Sequence, residues 1–268
     1  MGKTILVTGS TDGIGLETAK KLVSMGHKVL LHGRSETKLK AVEKSLAADG
    51  GQVESYVADL SRMADVENLA KVVAANYTTL DVLINNAGVF KTSSPITQDG
   101  LDIRFVVNAI APYLLTQRLL PLIGPSGRIV NVSSAAQSPV NLKALTGQVK
   151  ITEDFTAYAQ SKLAVTMWSH VLSLKDNSPV IIAVNPGSML GSKMVKQAFG
   201  VAGGDIRIGA EILTRAALSD EFSTASGQYF DNDSGRFASP HPDVHNSQKS
   251  EAVVNTIEAI LAEIAGSH

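Results

Sequence analysis

The 268-residue chain contains no cysteine, which excludes disulfides, thiol nucleophiles and cysteine metal ligands. An excess of one charge is lacking too. With 24 basic and 25 acidic residues the formal net charge is −1, so no nucleic-acid partner is expected. No apolar run reaches the length of a membrane span, and none is expected. Met1-Gly2-Lys3-Thr4-Ile5-Leu6 enters a strand-like run directly, which leaves no room for a signal peptide. Gly2 lacks the following hydroxyl residue of a myristoylation signal. These absences lead us to expect a cytoplasmic protein. His241 and His245 have helical spacing, but Pro240 and Pro242 point to a loop there, so no metal site is expected.

What is present is 44% hydrophobic residues, enough for one large core. Apolar runs near 4–8, 28–33, 53–58, 81–85, 128–133, 180–185 and 227–231 alternate with longer stretches of helical periodicity. The alternation predicts an α/β fold: a single domain, 1–268, built as a doubly wound, Rossmann-type parallel sheet of about seven strands with helices on both faces. Ligands of such sheets bind at the carboxyl ends of the strands.

The first such end carries Gly9-Ser10-Thr11-Asp12-Gly13-Ile14-Gly15, between the run Thr4–Thr8 and a helical stretch ending near Gly26. Glycines there let a diphosphate approach the main chain, and a helix start offers free N–H donors. The second run ends in His32-Gly33-Arg34. An NAD site usually places a carboxylate near that point, whereas here Gly33 leaves the place empty and Arg34 follows. A guanidinium suits a 2′-phosphate, and Ser35 and Lys38 add a donor and a second charge, so NADP(H) is favoured over NAD(H). Farther along, Tyr158 and Lys162 stand four positions apart, on one face of a helix if that stretch is helical. In that arrangement the ammonium is expected to stabilise phenolate and lower the phenol's pKa.

With these residues in view the chain resembles the short-chain dehydrogenase/reductase family over about residues 3–235. Thr8–Gly15 matches the family's Thr-Gly-x3-Gly-x-Gly loop, Asn85-Asn86-Ala87-Gly88 its Asn-Asn-Ala-Gly motif, and Tyr158 with Lys162 its Tyr-x3-Lys pair. Asp59-Leu60, Asn108, Ser134 and Asn185-Pro186-Gly187 follow the family's order. The resemblance implies a catalytic set of Asn108, Ser134, Tyr158 and Lys162 acting on a small-molecule carbonyl or alcohol. It implies cofactor contacts from Gly9 to Gly15 and from Arg34, Asp59, Leu60, Asn86, Ala87, Gly88, Tyr158, Lys162, Pro186, Gly187 and Ser192. It also allows a homo-oligomer built on the helices bearing Asn108 and Tyr158. A dinucleotide-sensing regulatory protein without turnover is the alternative, although such proteins commonly lose the tyrosine.

Twenty-four positions separate Ser134 from Tyr158. Many family members have a shorter gap, and the long one resembles the retinol-dehydrogenase-like branch. The extra stretch either borders the substrate or is a surface elaboration. Met189, Leu190, Met194, Val195 and Phe199 lie among the glycines of 187–204, a composition suited to an apolar lid. Together with Phe90, Val140, Leu142 and Phe155 they suggest a substrate with a sizeable apolar part. Residues 251–265 read as a closing amphipathic helix with Val253, Val254, Ile257, Ile260, Leu261 and Ile264 on one side.

Overall fold

A computed structural model describes residues 2–266. Its strands are β1 (Thr4–Val7), β2 (Lys28–Gly33), β3 (Val53–Val57), β4 (Val82–Asn85), β5 (Arg128–Val132), β6 (Val180–Asn185), β7 (Tyr229–Asp231) and β8 (Arg236–Ala238). They form one sheet in the order β3-β2-β1-β4-β5-β6-β7-β8. All neighbours pair in parallel except β7 and β8. The helices are α1 (Gly13–Ser24), α2 (Glu36–Ala48), α3 (Met63–Asn76), α4 (Ile103–Phe105), α5 (Ala111–Ile123), α6 (Leu142–Leu145), α7 (Asp154–Ser173), α8 (Lys193–Phe199), α9 (Arg207–Leu218) and α10 (Ser247–Gly266).

Successive side chains of a strand point to opposite faces, and here the sheet separates two cores. Leu6, Leu30, Leu83, Ile129 and Ile181 pack against α3, α5, α7 and α10. Their neighbours Ile5, Val29, Val82, Val130 and Ile182 pack against α1, α2 and α9. Near-continuous Val, Ile and Leu in the strands follows from this double coverage. The order reverses between β1 and β4, so a crevice opens above the carboxyl ends of those two strands.

Two expectations need correction. The sheet has eight strands rather than about seven, because β8 follows β7 where the sequence shows no further apolar run. Gly235, at φ +68°, closes a tight turn after β7, and Phe237 packs on Phe222 and Phe230. Such a turn returns the chain antiparallel, a pairing that three residues suffice to make. Second, Ile103–Ile123 is long and apolar enough to cross a membrane, although Asn108, Gln117 and Arg118 interrupt the run in the sequence. Of its most apolar window 72% is buried inside the fold, as a core helix requires.

The long stretch before Tyr158 is mostly exposed, but part of it packs inward. Ala144 and Leu145 are buried in the α7 core, Asn141 caps α6, and an added Cβ at Gly147 would press on the Gly100 carbonyl. The closing helix packs along α7, and its Glu258 accepts a hydrogen bond from Tyr113 of α5 at 2.6 Å.

Candidate active site

The glycine loop descends onto the end of β4. Gly9, at φ +65°, lies so close to Ala87 that an added Cβ would stand 2.9 Å from its Cα. A Cβ at Gly15 would overlap the Gly9 carbonyl and the Asn86 amide. Small residues are therefore compulsory at both places. Asn86 Nδ2 donates to the Thr8 and Gly9 carbonyls at 2.9 and 3.1 Å, and Thr8 Oγ1 accepts from the Asn86 and Ala87 N–H groups. Asp12 caps α1 by accepting from the Gly13 N–H at 2.8 Å, and its carboxylate pairs with Lys193 of α8 at 2.5 Å. That ammonium holds the Asp12 carboxyl below its ordinary value.

Above this floor lies a cleft of about 750 Å³, within the range of ligand and cofactor sites. Gly9, Thr11, Asp12, Gly13 and Ile14 line it, followed by Arg34, Lys38, Asp59 and Leu60 at one end. Asn86, Ala87 and Gly88 form its middle, and Ser134, Tyr158 and Lys162 its other end. Ser10, Gly15 and Ser35 do not line it. Ser10 is buried and exchanges hydrogen bonds with the His32 backbone, Gly15 serves packing, and Ser35 caps α2 by accepting from the Lys38 N–H. Among the described residues Arg34 and Lys38 make no ion pair. The glycine cradle and two free cations fit the diphosphate and 2′-phosphate of a dinucleotide.

The other end is held by α7, on which Tyr158 and Lys162 share a face. Lys162 Nζ lies 5.6 Å from the centre of the Tyr158 ring and donates to the Val132 carbonyl at 2.6 Å. Burial pushes the ammonium down to about 8. Burial also pushes the Tyr158 phenol above its ordinary value, and a hydrogen bond with Ser134 opposes that rise. The expected net lowering of the phenol pKa is not found: desolvation prevails, and the ammonium's hydrogen bond goes to a backbone carbonyl.

Asn108 sits in a π-turn, Val106–Ile110, between α4 and α5, with its amide bound to Val89 and Ser161 and off the cleft surface. Pro112, four residues on, has no N–H with which to engage the Asn108 main-chain carbonyl in an α-helical bond. Gly88 faces both groups: a Cβ there would stand 3.4 Å from Asn108 Oδ1 and 3.8 Å from Lys162 Nζ.

Pro186, Gly187, Ser192 and the apolar side chains Met189, Leu190, Met194, Val195 and Phe199 form the outer wall. The roots of this segment meet where Gly191 N–H donates to Gly204 O and Gly204 N–H to Met189 O, both at 2.8 Å. The Ser192 hydroxyl caps α8 by accepting from the Val195 N–H at 3.2 Å. Phe90 stands 4.9 Å from the Tyr158 ring, 5.5 Å from Phe199 and 6.5 Å from Phe155. Val140 and Leu142 lie off the cleft, Val140 against the α7 core and Leu142 largely in solvent.

A family model described as short chain dehydrogenase matches residues 3–200. The chain belongs to the short-chain dehydrogenase family. Retinol dehydrogenase 13 of Mus musculus is 30% identical over 289 aligned positions, covering 100% of this chain and 86% of that protein. Retinol dehydrogenase 11 of Homo sapiens is 33% identical, covering 85% and 77%. These relatives place the chain near the retinol-dehydrogenase-like branch. A short chain dehydrogenase from Burkholderia cenocepacia J2315, solved in complex with NADP, superposes with a TM-score of 0.70 at 26% identity, covering 88% of this chain and 98% of that one.

Sequence reading of this short-chain dehydrogenase missed His32. Its Nδ1 accepts from the Gly9 N–H at 3.1 Å and its Nε2 faces the Ala58 carbonyl at 3.1 Å, so the neutral Nε2–H ring joins the glycine loop to the end of β3. The available signal was a polar residue in an otherwise apolar strand. Burial pushes its pKa from 6.5 down to about 4. The unfolded chain thus binds a proton in that interval and the folded protein does not. Stability from His32 is complete above pH 6.5 and is lost as the pH falls through 4, by up to about 3 kcal/mol. Chemical denaturation of wild type and His32→Asn between pH 7.5 and pH 4 checks this, and the variant should show the shallower dependence.

Proposed function

We propose that this short-chain dehydrogenase transfers a hydride between NADP(H), in preference to NAD(H), and a carbonyl or alcohol substrate with an apolar part. The supporting observation is one cleft with the Tyr158 phenol and Ser134 hydroxyl at one end and two unpaired cations, Arg34 and Lys38, at the other. When bound, the nicotinamide ring supplies or accepts the hydride. The glycine-loop N–H groups and the start of α1 hold the diphosphate, and Arg34 and Lys38 hold the 2′-phosphate.

The Ser134 hydroxyl donates to the substrate oxygen and keeps it beside Tyr158. With its pKa raised, Tyr158 carries its proton at neutral pH and delivers it to the carbonyl oxygen as that oxygen gains charge. The Lys162 ammonium stabilises the phenolate that remains, and the Asn108 carbonyl, through a water, returns a proton along Lys162. In the oxidative direction the same phenolate takes the proton of the alcohol. Residues 187–204 act as a lid, and the whole chain serves as one dinucleotide-binding and catalytic domain in the cytoplasm. Because α10 packs along α7, part of that helix is already covered within the chain.

Tyr158→Phe should keep NADPH affinity and lose about a thousandfold in kcat; undiminished turnover of a carbonyl substrate would remove Tyr158 from the chemistry. Arg34→Asp should cut kcat/KM for NADPH by at least about tenfold and improve that for NADH, and an unchanged ratio between the cofactors contradicts the role given to Arg34. Across a homologous series of aldehydes kcat/KM should rise with chain length by roughly threefold per methylene while the apolar wall is being covered. A flat series argues against the apolar cleft, and tight NADPH binding with no turnover of any carbonyl favours a sensor.

A further inference from the structure

Arg104 has no part in the chemistry above, yet its guanidinium is buried, with only 1% of the side chain exposed. Nε and Nη2 fork onto the two carboxylate oxygens of Asp102 at 2.8 and 2.6 Å. Nη1 reaches Asp154 at 2.6 Å, and Nη2 also faces the Ile151 carbonyl at 3.4 Å. Removing a charge this deep from water is costly, and the expense is repaid in geometry more surely than in stability. Three segments meet at this one group: α4, which leads into the turn bearing Asn108; the end of the long stretch after Ser134; and the first residue of α7.

That helix start has no conventional cap. Glu153, at the capping position, makes no capping hydrogen bond. Asp154 sits where a carboxylate favours the helix dipole, and Arg104 holds it there. Phe155 is the next residue, at the cleft mouth beside Phe90, and Tyr158 lies one turn farther along.

We infer that Arg104 is a positioning residue: through Asp154 it fixes the first turn of α7, and with it the Tyr158 phenol and the apolar wall at Phe155. Its kinetic consequences rest on the hydride-transfer reading. Its consequence for the helix start does not.

Asp154→Asn, Asp154→Glu and Arg104→Met in the full chain test this. In Asp154→Asn the NADPH Kd from fluorescence titration should stay within about twofold while kcat for carbonyl reduction falls about tenfold. The advantage of a long aldehyde over acetaldehyde should shrink by at least about threefold, and the amides of Ala157 and Tyr158 should exchange hydrogen about tenfold faster, with other helices unaffected. Asp154→Glu, which keeps the charge, should recover most of both losses. Arg104→Met should reproduce Asp154→Asn; if it fails to fold, the two Asp154 variants decide. Unchanged exchange at Ala157 and Tyr158 overturns the inference. So does faster exchange spread equally over all helices, with Kd and both aldehydes weakened alike, since that marks general destabilisation. If wild type reduces no carbonyl, the hydride-transfer reading fails and the exchange comparison alone still judges Arg104.

Discussion

Close backbone contact between the first loop and the end of β4 decides where everything else in the cleft can stand. The strands β1 and β4 are neighbours whose helices leave to opposite faces, so their loops part above the sheet. The parting becomes a binding floor only if the first loop is drawn down, and Gly9 on Ala87 with Gly15 on Gly9 and Asn86 draws it down. A side chain at either glycine would lift the loop into the cleft. Once lowered, the loop buries polar backbone that requires partners. His32 and Asn86 supply them: the Gly9 N–H donates to His32 Nδ1, the Ser10 N–H to the His32 carbonyl, and Asn86 Nδ2 to the Thr8 and Gly9 carbonyls.

At the far end of the same floor, burial acts in opposite directions on Tyr158 and Lys162, disfavouring the charged form of each. The ammonium survives at neutral pH because its value remains near 8, and the Val132 carbonyl replaces part of its lost hydration. The phenol keeps its proton. A resting cleft therefore holds an acid and a cation, not an ion pair. In the reaction proposed above, the attraction between phenolate and ammonium would grow only as the proton leaves, and so would favour the transition state over the ground state.

Much of this was legible in the sequence because the chemistry lies at strand ends, where motifs are contiguous. The glycine loop, Arg34 after Gly33, Asn86 to Gly88, Ser134 and the Tyr158–Lys162 face all occupy the cleft or its floor as their local order implies. Direction and distance were less legible. Ser10 and Ser35 belong to contiguous motifs, but a loop cannot present every side chain to one side, and theirs turn to His32 and to α2. Val140 and Leu142 looked like cleft residues by composition, yet Val140 packs on the core and Leu142, at the start of α6, faces solvent. The phenol's pKa depended on how deeply the ring is buried, which spacing along a helix does not determine. Strand β8 was invisible because three residues carry no period, and its pairing is set by the turn before it and by Phe237.

The mouth of the cleft shows how apolar and polar forces divide the work. Phe155, Phe199 and Met189 remain 54%, 48% and 44% exposed. One such side chain on a surface is ordinary, whereas several around one opening form a patch that favours being covered. Facing water, these side chains gain little from one another until something apolar covers them, so they cannot hold their own positions. Directional bonds stand behind them: Arg104 pairs with Asp154 beside Phe155, and backbone bonds join Gly191 and Met189 to Gly204 at the roots of the segment bearing Met189 and Phe199. Directional bonds in the interior thus fix a non-directional surface at the rim. A rim held this way can meet an apolar ligand without first paying to order itself.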